Sequence, residues 1–106
     1  MNADRDADRW GALADGTRLA IVACLAEGPQ AVGQLASGLP VSRSAVSQHL
    51  KILKDAGLVE DTAAGTRRIY RLNPAALAAL RDQLDTYWQR ALAGYTEAAE
   101  APIEEA

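Results

Sequence analysis

Several residue types are scarce in this chain of 106 residues, and each scarcity excludes a class of protein. The sequence holds one cysteine, one histidine and no phenylalanine. The lone cysteine, Cys24, excludes an intrachain disulfide and suits a reducing compartment. No apolar run approaches the roughly 18–20 residues that cross a bilayer, and the charged opening "MNADRDADRW" lacks the apolar segment of a secretory signal. We therefore expect a cytoplasmic protein with no membrane partner.

Catalytic and metal-binding side chains are equally sparse. A zinc-like site needs about three or four Cys, His or carboxylate ligands, and the chain offers only Cys24 and His49 besides its carboxylates. Cys24 has apolar neighbours on its predicted helix, which favours a buried core thiol. There is no glycine-rich phosphate loop, and no histidine stands in a catalytic pattern with Cys24 or a serine. The sequence therefore predicts a protein that is not an enzyme and that holds no cofactor and no metal.

Positive charge is scarce overall but concentrated in one segment. The chain carries 11 Lys and Arg against 14 Asp and Glu, a net charge of −3. Residues 41–72 hold six of those bases and three of those acids, a net of +3, whereas residues 1–40 and 73–106 carry −2 and −4. Affinity for phosphate depends on this local field more than on the whole-chain charge. Residues 41–72 are therefore suited to nucleic acid, and the modest charge of each copy suggests that two copies act together.

The segment 42–56 predicts an amphipathic helix with Ser42 as its cap. Val46, Leu50 and Leu53 recur at i, i+4 and i+7 and form an apolar stripe. A helix that buries this stripe and exposes small hydroxyls, an amide and a lysine can read base edges in a major groove. An ordinary amphipathic surface helix is the alternative. The polar face comprises Ser44, Ser47, Gln48, Lys51 and Lys54 (or Asp55).

A β-hairpin is predicted over residues 58–72, after Gly57 ends the helix. Apolar and polar residues alternate on either side of a short turn at Ala63-Ala64-Gly65. Arg67, Arg68 and Arg71 cluster on the second strand, where they suit phosphates or a narrow minor groove. A solvated hairpin whose charges aid solubility is the alternative. Helix, turn, helix and basic hairpin is the order of a winged helix-turn-helix.

The remaining residues predict four more helices within a single domain over residues 1–106. The first spans about 4–14, the second runs from an N-cap at Asp15 to the Gly28-Pro29 break, and the third spans about 32–39. Asn73-Pro74 starts the last helix, over about 74–95. Its apolar stripe is longer than one small domain covers, which favours a second copy of the chain as partner. The second helix directs Leu19, Ile21, Val22 and Leu25 inward.

The residues in this middle segment resemble one family, the ArsR/SmtB-type bacterial repressors. The resemblance rests on "SRSAVSQHLKILKDAGLVEDTAAGTRRIYRL", with upstream support from "LADGTRLAIVACLAEGP" and "VGQLASGL", and it covers roughly Gly11 to Trp88. It implies a mainly α fold with a small β-hairpin wing in the order α-α-α-α-β-β-α. It also implies a homodimer, held by the first and last helices, that binds double-stranded DNA at an inverted-repeat operator and represses transcription.

Specific contact residues follow from the polar face, the wing and this resemblance. We expect Ser44, Ser47 and Gln48 to contact base edges, with phosphate contacts from the helix and from the wing. The residues expected at phosphates are Ser42, Arg43, His49, Lys51, Arg67 and Arg68. The residues expected at the dimer interface are Trp10, Leu13, Leu77, Leu80, Leu84, Tyr87, Trp88 and Ala91.

The positions at which this family binds inducing metals carry no ligands here. Its Cys-x-Cys site on the third helix aligns with Ala31 and Gly33, and the nearby acid aligns with Gln34. Its second site, on the last helix, starts with an Asp that can be aligned with Asp82 or with Asp85. In either alignment, the other ligand positions carry residues that do not bind metals. Those residues are Leu84, Tyr95 and Ala98, or Tyr87, Ala98 and Ala101.

What releases the protein from DNA is left open by the sequence. The options are an unidentified small-molecule inducer near Trp10, Tyr87 and Trp88, a thiol response at Cys24, or constitutive and autoregulatory repression, which we favour. A protein-interaction module that uses the same fold without reading DNA is the rival from another class. That module would carry exposed apolar residues where this chain has the polar face and the arginines.

Overall fold

The computed structural model describes the backbone of residues 3–100 and the side chains of residues 7–99. It confirms a mainly helical winged helix-turn-helix and adds one short strand between the second and third helices. None of the helices within the described residues has the length and apolar character needed to cross a membrane. The elements are α1 (Ala3–Leu13), α2 (Gly16–Ala26), β1 (Gln30–Ala31), α3 (Val32–Gly38), α4 (Arg43–Asp55), β2 (Val59–Ala64), β3 (Arg67–Leu72) and α5 (Pro74–Glu100).

Side-chain caps fix where three of the helices begin. Asp15 Oδ1 accepts hydrogen bonds from the amides of Thr17 and Arg18, at 2.9 and 3.0 Å, before α2. These bonds favour the charged carboxylate, and the Arg18 amide is the largest cause of the lowered pKa of Asp15. Ser42 Oγ caps α4 at 3.1 Å, and Asn73 Oδ1 caps α5 at 3.1 Å. Each cap satisfies an amide that the helix itself leaves without a partner.

The core lies where α2, α3 and α4 meet the base of the hairpin and the first turns of α5. The apolar stripe predicted on α4 is its centre, because all three side chains of that stripe are fully buried. Burial of such side chains is the main force that holds the helices together. The largest fully buried side chains are Ile21, Leu35, Val46, Leu50, Leu53 and Leu58.

The inward direction predicted for Leu19 is wrong. Its side chain is 54 % exposed, whereas Ile21 and Leu25 on the same helix are buried. Leu19 precedes Ile21 by two residues, which turns it about 200° around the helix axis to the solvent side. Ile52, at the edge of the stripe on α4, is also largely exposed.

The hairpin turn differs from the predicted one. Ala63 and Ala64 remain in the antiparallel ladder, opposite Arg68 and Arg67, so the turn consists of Gly65 and Thr66 alone. Gly65 has a φ of +65°, which suits the first central position of a two-residue type II′ turn. The turn is therefore one residue shorter than predicted, and Arg67 and Arg68 pair with Ala64 and Ala63 next to it.

Strand β1 is the element that the sequence did not predict. Gln30 pairs with Tyr70 and Ala31 pairs with Ile69, which gives a three-stranded sheet in the order β1-β3-β2. A two-residue strand leaves no alternation to detect, since the periodicity of a strand needs about four residues. The pairing joins the hairpin to Ala31, the residue immediately before α3.

Helix α5 runs to Glu100, beyond the predicted end near residue 95. Ala76 and Leu80 are buried in the core, and Leu77 packs against it. From Leu84 onward the same stripe is exposed: Leu84 is 53 % exposed and Trp88 is 61 % exposed. The buried part of α5 therefore gives way to the exposed part within one turn of the helix, between Leu80 and Leu84.

Candidate nucleic-acid interface

The polar face of α4 is presented to solvent because the opposite face is buried. Val46, Leu50 and Leu53 are buried against α2 and α3, and this fixes the rotation of the helix about its axis. The predicted base-contacting residues Ser44, Ser47 and Gln48 are all exposed. No hydrogen bond within the described residues occupies their side chains, so their donors and acceptors are available to base edges.

Lys51 lies on the same face, one turn farther along. Its Nζ is 2.8 Å from Asp55 Oδ2, an exposed i, i+4 ion pair on the helix. The carboxylate of Asp55 is the largest cause of the raised pKa of Lys51. Exposed pairs of this kind contribute little to stability, so a phosphate can compete with Asp55 for the ammonium group.

Ser42 and Arg43 stand at the start of α4. The Ser42 hydroxyl oxygen accepts the capping hydrogen bond, which leaves its proton free to be donated to a phosphate. Arg43 is exposed, and no ion pair to it occurs within the part of the chain that the structure describes. Its guanidinium lies across Gly33 of α3: a Cβ built on that glycine would be 3.6 Å from Arg43 Nη1.

His49 does not lie on the exposed polar face of α4, and its contact with a phosphate stays a prediction. The ring is half-buried on the side of α4 that faces α2, and its Nδ1 is 3.5 Å from Arg18 Nη1. His49 follows Val46 by three residues, so it lies about 60° from the centre of the buried stripe. Arg18 Nε also donates to the carbonyl of Ala12, at 2.6 Å. Arg18 of α2 thus contacts both α1 and α4.

The wing arginines are not equivalent. Arg68 Nη1 is 3.1 Å from Asp61 Oδ2, and Lys54 Nζ is 2.8 Å from Asp61 Oδ1. The Asp61 side chain is only 6 % exposed. The Lys54 ammonium is the largest cause of the lowered pKa of Asp61. Arg71 is paired with Glu60 at 2.9 Å, directly across the ladder.

Arg67 differs from its two neighbours. It is exposed next to the turn, and no ion pair to it occurs among the described residues. Its charge is therefore fully available to a phosphate, whereas Arg68 and Arg71 share theirs with carboxylates. The sequence shows three arginines in five residues but does not reveal this difference, because it depends on where Asp61 and Glu60 lie across the hairpin.

Two cavities adjoin these elements. The larger, of about 480 Å³, lies between α3, the start of α4 and the tip of the wing, and its lining includes Gly33, Gln34, Arg43, Thr66, Arg67 and Arg68. The smaller, of about 280 Å³, lies between α1, α2 and α4 beside Arg18 and Ile52. Sequence reasoning missed Gln34 and Thr66 as parts of a basic groove, since the start of α3 and the tip of the wing are distant in sequence and only the fold brings them together.

The positions expected to sense an inducer show no metal-binding arrangement in the described residues. No three His, Cys, Asp or Glu side chains converge there. Ala31 is buried in β1, and Cys24 is a half-buried free thiol packed against the core. Ala101, one of the aligned ligand positions, lies outside the described residues. Neither of the two cavities is lined by the aromatic side chains considered for an organic inducer.

The residues predicted at the dimer interface fall into three groups. Leu80 is 5 % exposed and Leu77 packs against the same core, so both side chains contact the interior of their own chain, and their place at an interface stays a prediction. Trp10 and Leu13 are half-buried, and Trp10 Nε1 donates a hydrogen bond to Gln83 Oε1, which ties α1 to α5. The exposed group comprises Leu84, Tyr87, Trp88 and Ala91.

Comparisons with known proteins agree with this architecture. Residues 15–61 match the model of a family described as bacterial regulatory protein, arsR family. The chain is 64 % identical over 98 residues to the HTH-type transcriptional regulator Rv2034 of Mycobacterium tuberculosis, and the match covers 92 % of each protein.

Solved structures show the same similarity. One, described as a possible transcriptional regulator for arsenical resistance, is 43 % identical, has a TM-score of 0.70, and is matched over 82 % of this chain and 95 % of its own. Another is a homodimeric winged helix-turn-helix DNA-binding domain from Mycobacterium bovis. It is 32 % identical, has a TM-score of 0.68, and is matched over 94 % of this chain and 89 % of its own.

Proposed function

This chain belongs to the arsR family of bacterial regulatory proteins, and we propose that it represses transcription as a homodimer on an inverted-repeat operator, without responding to metal ions. The coarser part of this statement rests on the family: the protein is a DNA-binding winged helix-turn-helix regulator of transcription and not an enzyme. The operator, the dimer and the absent metal response are the proposal.

The observation that carries the proposal is the exposed polar face of α4, where the side chains of Ser44, Ser47 and Gln48 make no hydrogen bond within the described residues. Ser44, Ser47 and Gln48 would contact base edges, and Gln48 is suited to bidentate contact with adenine. In a two-fold dimer, two such helices would enter successive major grooves about 34–36 Å apart, which requires an inverted repeat with that spacing. A protein-interaction module would instead expose apolar side chains on this face.

Phosphate contacts would surround this face. Ser42 and Arg43 stand at the start of the helix, Lys51 lies one turn beyond the base contacts, and Arg67 and Arg68 extend from the wing. We leave His49 out of this set, because its ring faces Arg18 on α2. Such contacts position the protein on DNA without selecting a sequence.

The homodimer is supported by the exposed part of α5. The apolar stripe that is buried at Leu80 continues in solvent from Leu84 to Tyr95, and such a stripe is stable in water when another helix covers it. A second copy presents the same stripe about a two-fold axis. The similar domain from Mycobacterium bovis is itself described as homodimeric. Trp10, which is tied to α5 through Gln83, would join the same interface.

The absence of a metal response is supported by the composition of the sensor positions, and it leaves constitutive or autoregulatory repression as the mode that we favour. Metal ions of the zinc type require thiolate, imidazole or carboxylate ligands. The aligned positions carry Ala31, Gly33 and Gln34 in β1 and α3, and Leu84 or Tyr87 on the last helix. We therefore propose that zinc, cadmium and arsenite leave operator binding unchanged. Release of DNA at stoichiometric metal would contradict this part of the proposal.

Selection of bound duplexes from a random pool, followed by footprinting, tests the operator. We expect an inverted repeat with half-sites one helical turn apart. Gln48→Ala should relax sequence preference at one position of each half-site, since a bidentate base contact is worth about 1–3 kcal/mol of discrimination. Gln89→Ala, an exposed glutamine of α5, is the matched control. An enriched pool without a repeat, or equal effects of the two variants, would contradict the assignment.

A further inference from the structure

The groove between α3, the start of α4 and the wing has an unusual charge balance for an acidic protein. Of the 480 Å³ cavity's lining residues, three are arginines and none is an acid. Arg43 and Arg67 have no ion pair within the described residues. Arg68 is held in place by Asp61, which is itself outside the lining. The groove is therefore a concave surface with at least two uncompensated guanidinium groups.

The polar side chains of the groove also present hydrogen-bond donors. Gln34 Oε1 accepts from the backbone amide of Ala31 at 2.7 Å, which fixes the side chain and leaves its amide nitrogen as a donor. Thr66 contributes a hydroxyl at the turn of the wing, and no hydrogen bond to that hydroxyl occurs among the described residues. Fixed donors beside planar guanidinium groups match the oxygens of a phosphate.

Gly33 provides the room for such a ligand. A Cβ at this position would be in ordinary contact with Arg43 Nη1, at 3.6 Å, so the guanidinium lies directly over the glycine. A longer side chain would enter the groove, and a carboxylate there would pair with Arg43. The glycine keeps the groove open and leaves Arg43 without a partner.

We propose that this groove is an anion site that binds a phosphate group. It is separate from the base-contacting face of α4, because it is built from α3, the first residue of α4 and the tip of the wing. Two sources share this chemistry: a phosphate of the DNA backbone and a free phosphorylated solute. Binding of a DNA backbone phosphate rests on the proposed function. Binding of a free phosphorylated solute does not, and a solute bound here would compete with DNA for Arg43 and Arg67.

Gly33→Asp is the variant that blocks the groove, and Gly38→Asp is its control. Both change a glycine of α3 and add one negative charge, but a Cβ at Gly38 meets open space and Gly38 does not line the groove. A thermal melt establishes that both variants fold. If Gly33→Asp does not fold, Arg43→Gln takes its place, with Arg90→Gln on α5 as control.

The first arm uses the DNA-free full chain and inorganic pyrophosphate at low ionic strength, followed by backbone amide NMR. We expect saturable shifts at Gly33, Thr66 and Arg67 in the wild type and in Gly38→Asp. In Gly33→Asp the apparent affinity should be at least about tenfold weaker, a difference of about 1.4 kcal/mol. Saturable binding of this kind assigns a free phosphorylated solute to the site.

The second arm uses the selected duplex with single methylphosphonates, each of which removes one backbone charge. At one phosphate in each half-site, neutralisation should weaken binding by the wild type and Gly38→Asp but not by Gly33→Asp. That result assigns the DNA backbone to the site. If Gly33→Asp and Gly38→Asp bind alike in both arms, the groove is not an anion site. This conclusion holds even where footprinting detects an operator. If selection enriches no sequence, the operator proposal fails and the pyrophosphate arm decides the groove alone.

Discussion

Replacing Arg67 by alanine should reduce the salt dependence of DNA binding more than replacing Arg68. Arg67 has no ion pair within the described residues, so binding to a phosphate uses its full charge and releases a counterion. Arg68 lies 3.1 Å from the nearly buried Asp61, which already neutralises part of its charge. The two arginines are adjacent in sequence, and only Arg68 has an ion pair within the described residues, so the two variants are closely matched.

The magnitude follows from counterion release. Each phosphate contact contributes about 0.9 to the slope of log K against log salt, so a dimer with two wings should lose about 1.8 in Arg67→Ala. Over about a fourfold rise in salt, the wild type should then lose about twelvefold more affinity than the variant. Arg68→Ala should change the slope by clearly less, because a paired arginine displaces fewer counterions.

Fluorescence anisotropy with the selected duplex, over a series of salt concentrations, measures these slopes. Arg90→Ala is the control, since it removes one exposed arginine from α5, far along the chain from the wing. Equal slope changes for Arg67→Ala and Arg68→Ala would refute the ranking by ion pairs. An unchanged slope in Arg67→Ala would exclude this arginine from the contacts with DNA.

Further variants test the helix cap, the last helix and the carboxylate of Asp61. Ser42→Ala should lower the free energy of unfolding in urea by about 1 kcal/mol through loss of the cap, whereas Ser44→Ala should change it by less than about 0.5 kcal/mol; equal losses would contradict the capping role. Leu80→Ala should lower the free energy of unfolding by about 2–5 kcal/mol, because it leaves a cavity in the core. Trp88→Ala should instead dissociate the proposed dimer in sedimentation experiments. A dimer unaffected by Trp88→Ala would place the interface elsewhere. The pKa of Asp61 is lower in the folded state, so its contribution is present above the unfolded value of 3.8 and is lost as pH falls through the folded pKa. Asp61→Asn should therefore flatten the loss of stability below about pH 4 in urea titrations, and an unchanged acid profile would contradict this assignment.

The sequence predicts best those features that depend on local periodicity. The stripe at Val46, Leu50 and Leu53 predicts both the helix and its buried face, and the caps at Asp15 and Ser42 predict where two helices begin. Gly65 and the flanking alternation predict a hairpin, although the turn is one residue shorter than expected because Ala63 and Ala64 stay in the ladder. These features are encoded within a few residues of where they occur.

Features that depend on contacts between distant segments could not be predicted in the same way. The partner of Arg68 depends on the register that brings Asp61 across the hairpin. The point at which α5 leaves the core lies between Leu80 and Leu84, and the stripe itself is continuous through both. The groove beside Arg43 depends on the approach of Gly33, ten residues earlier in the chain. Each of these features depends on how distant segments approach one another, and the periodicity of the sequence does not specify that approach.

Strand β1 prepares the wing for binding before any DNA is present. A two-stranded hairpin alone is at best marginally ordered in water, and binding through it would require a loss of conformational entropy at that moment. Here Gln30 and Ala31 pair with Tyr70 and Ile69, so a third strand anchors the hairpin to the start of α3. The conformational entropy of the hairpin is therefore lost during folding and not on binding. In the proposed complex with DNA, this anchoring would preorganise the wing, and more of its contact energy would be retained as affinity.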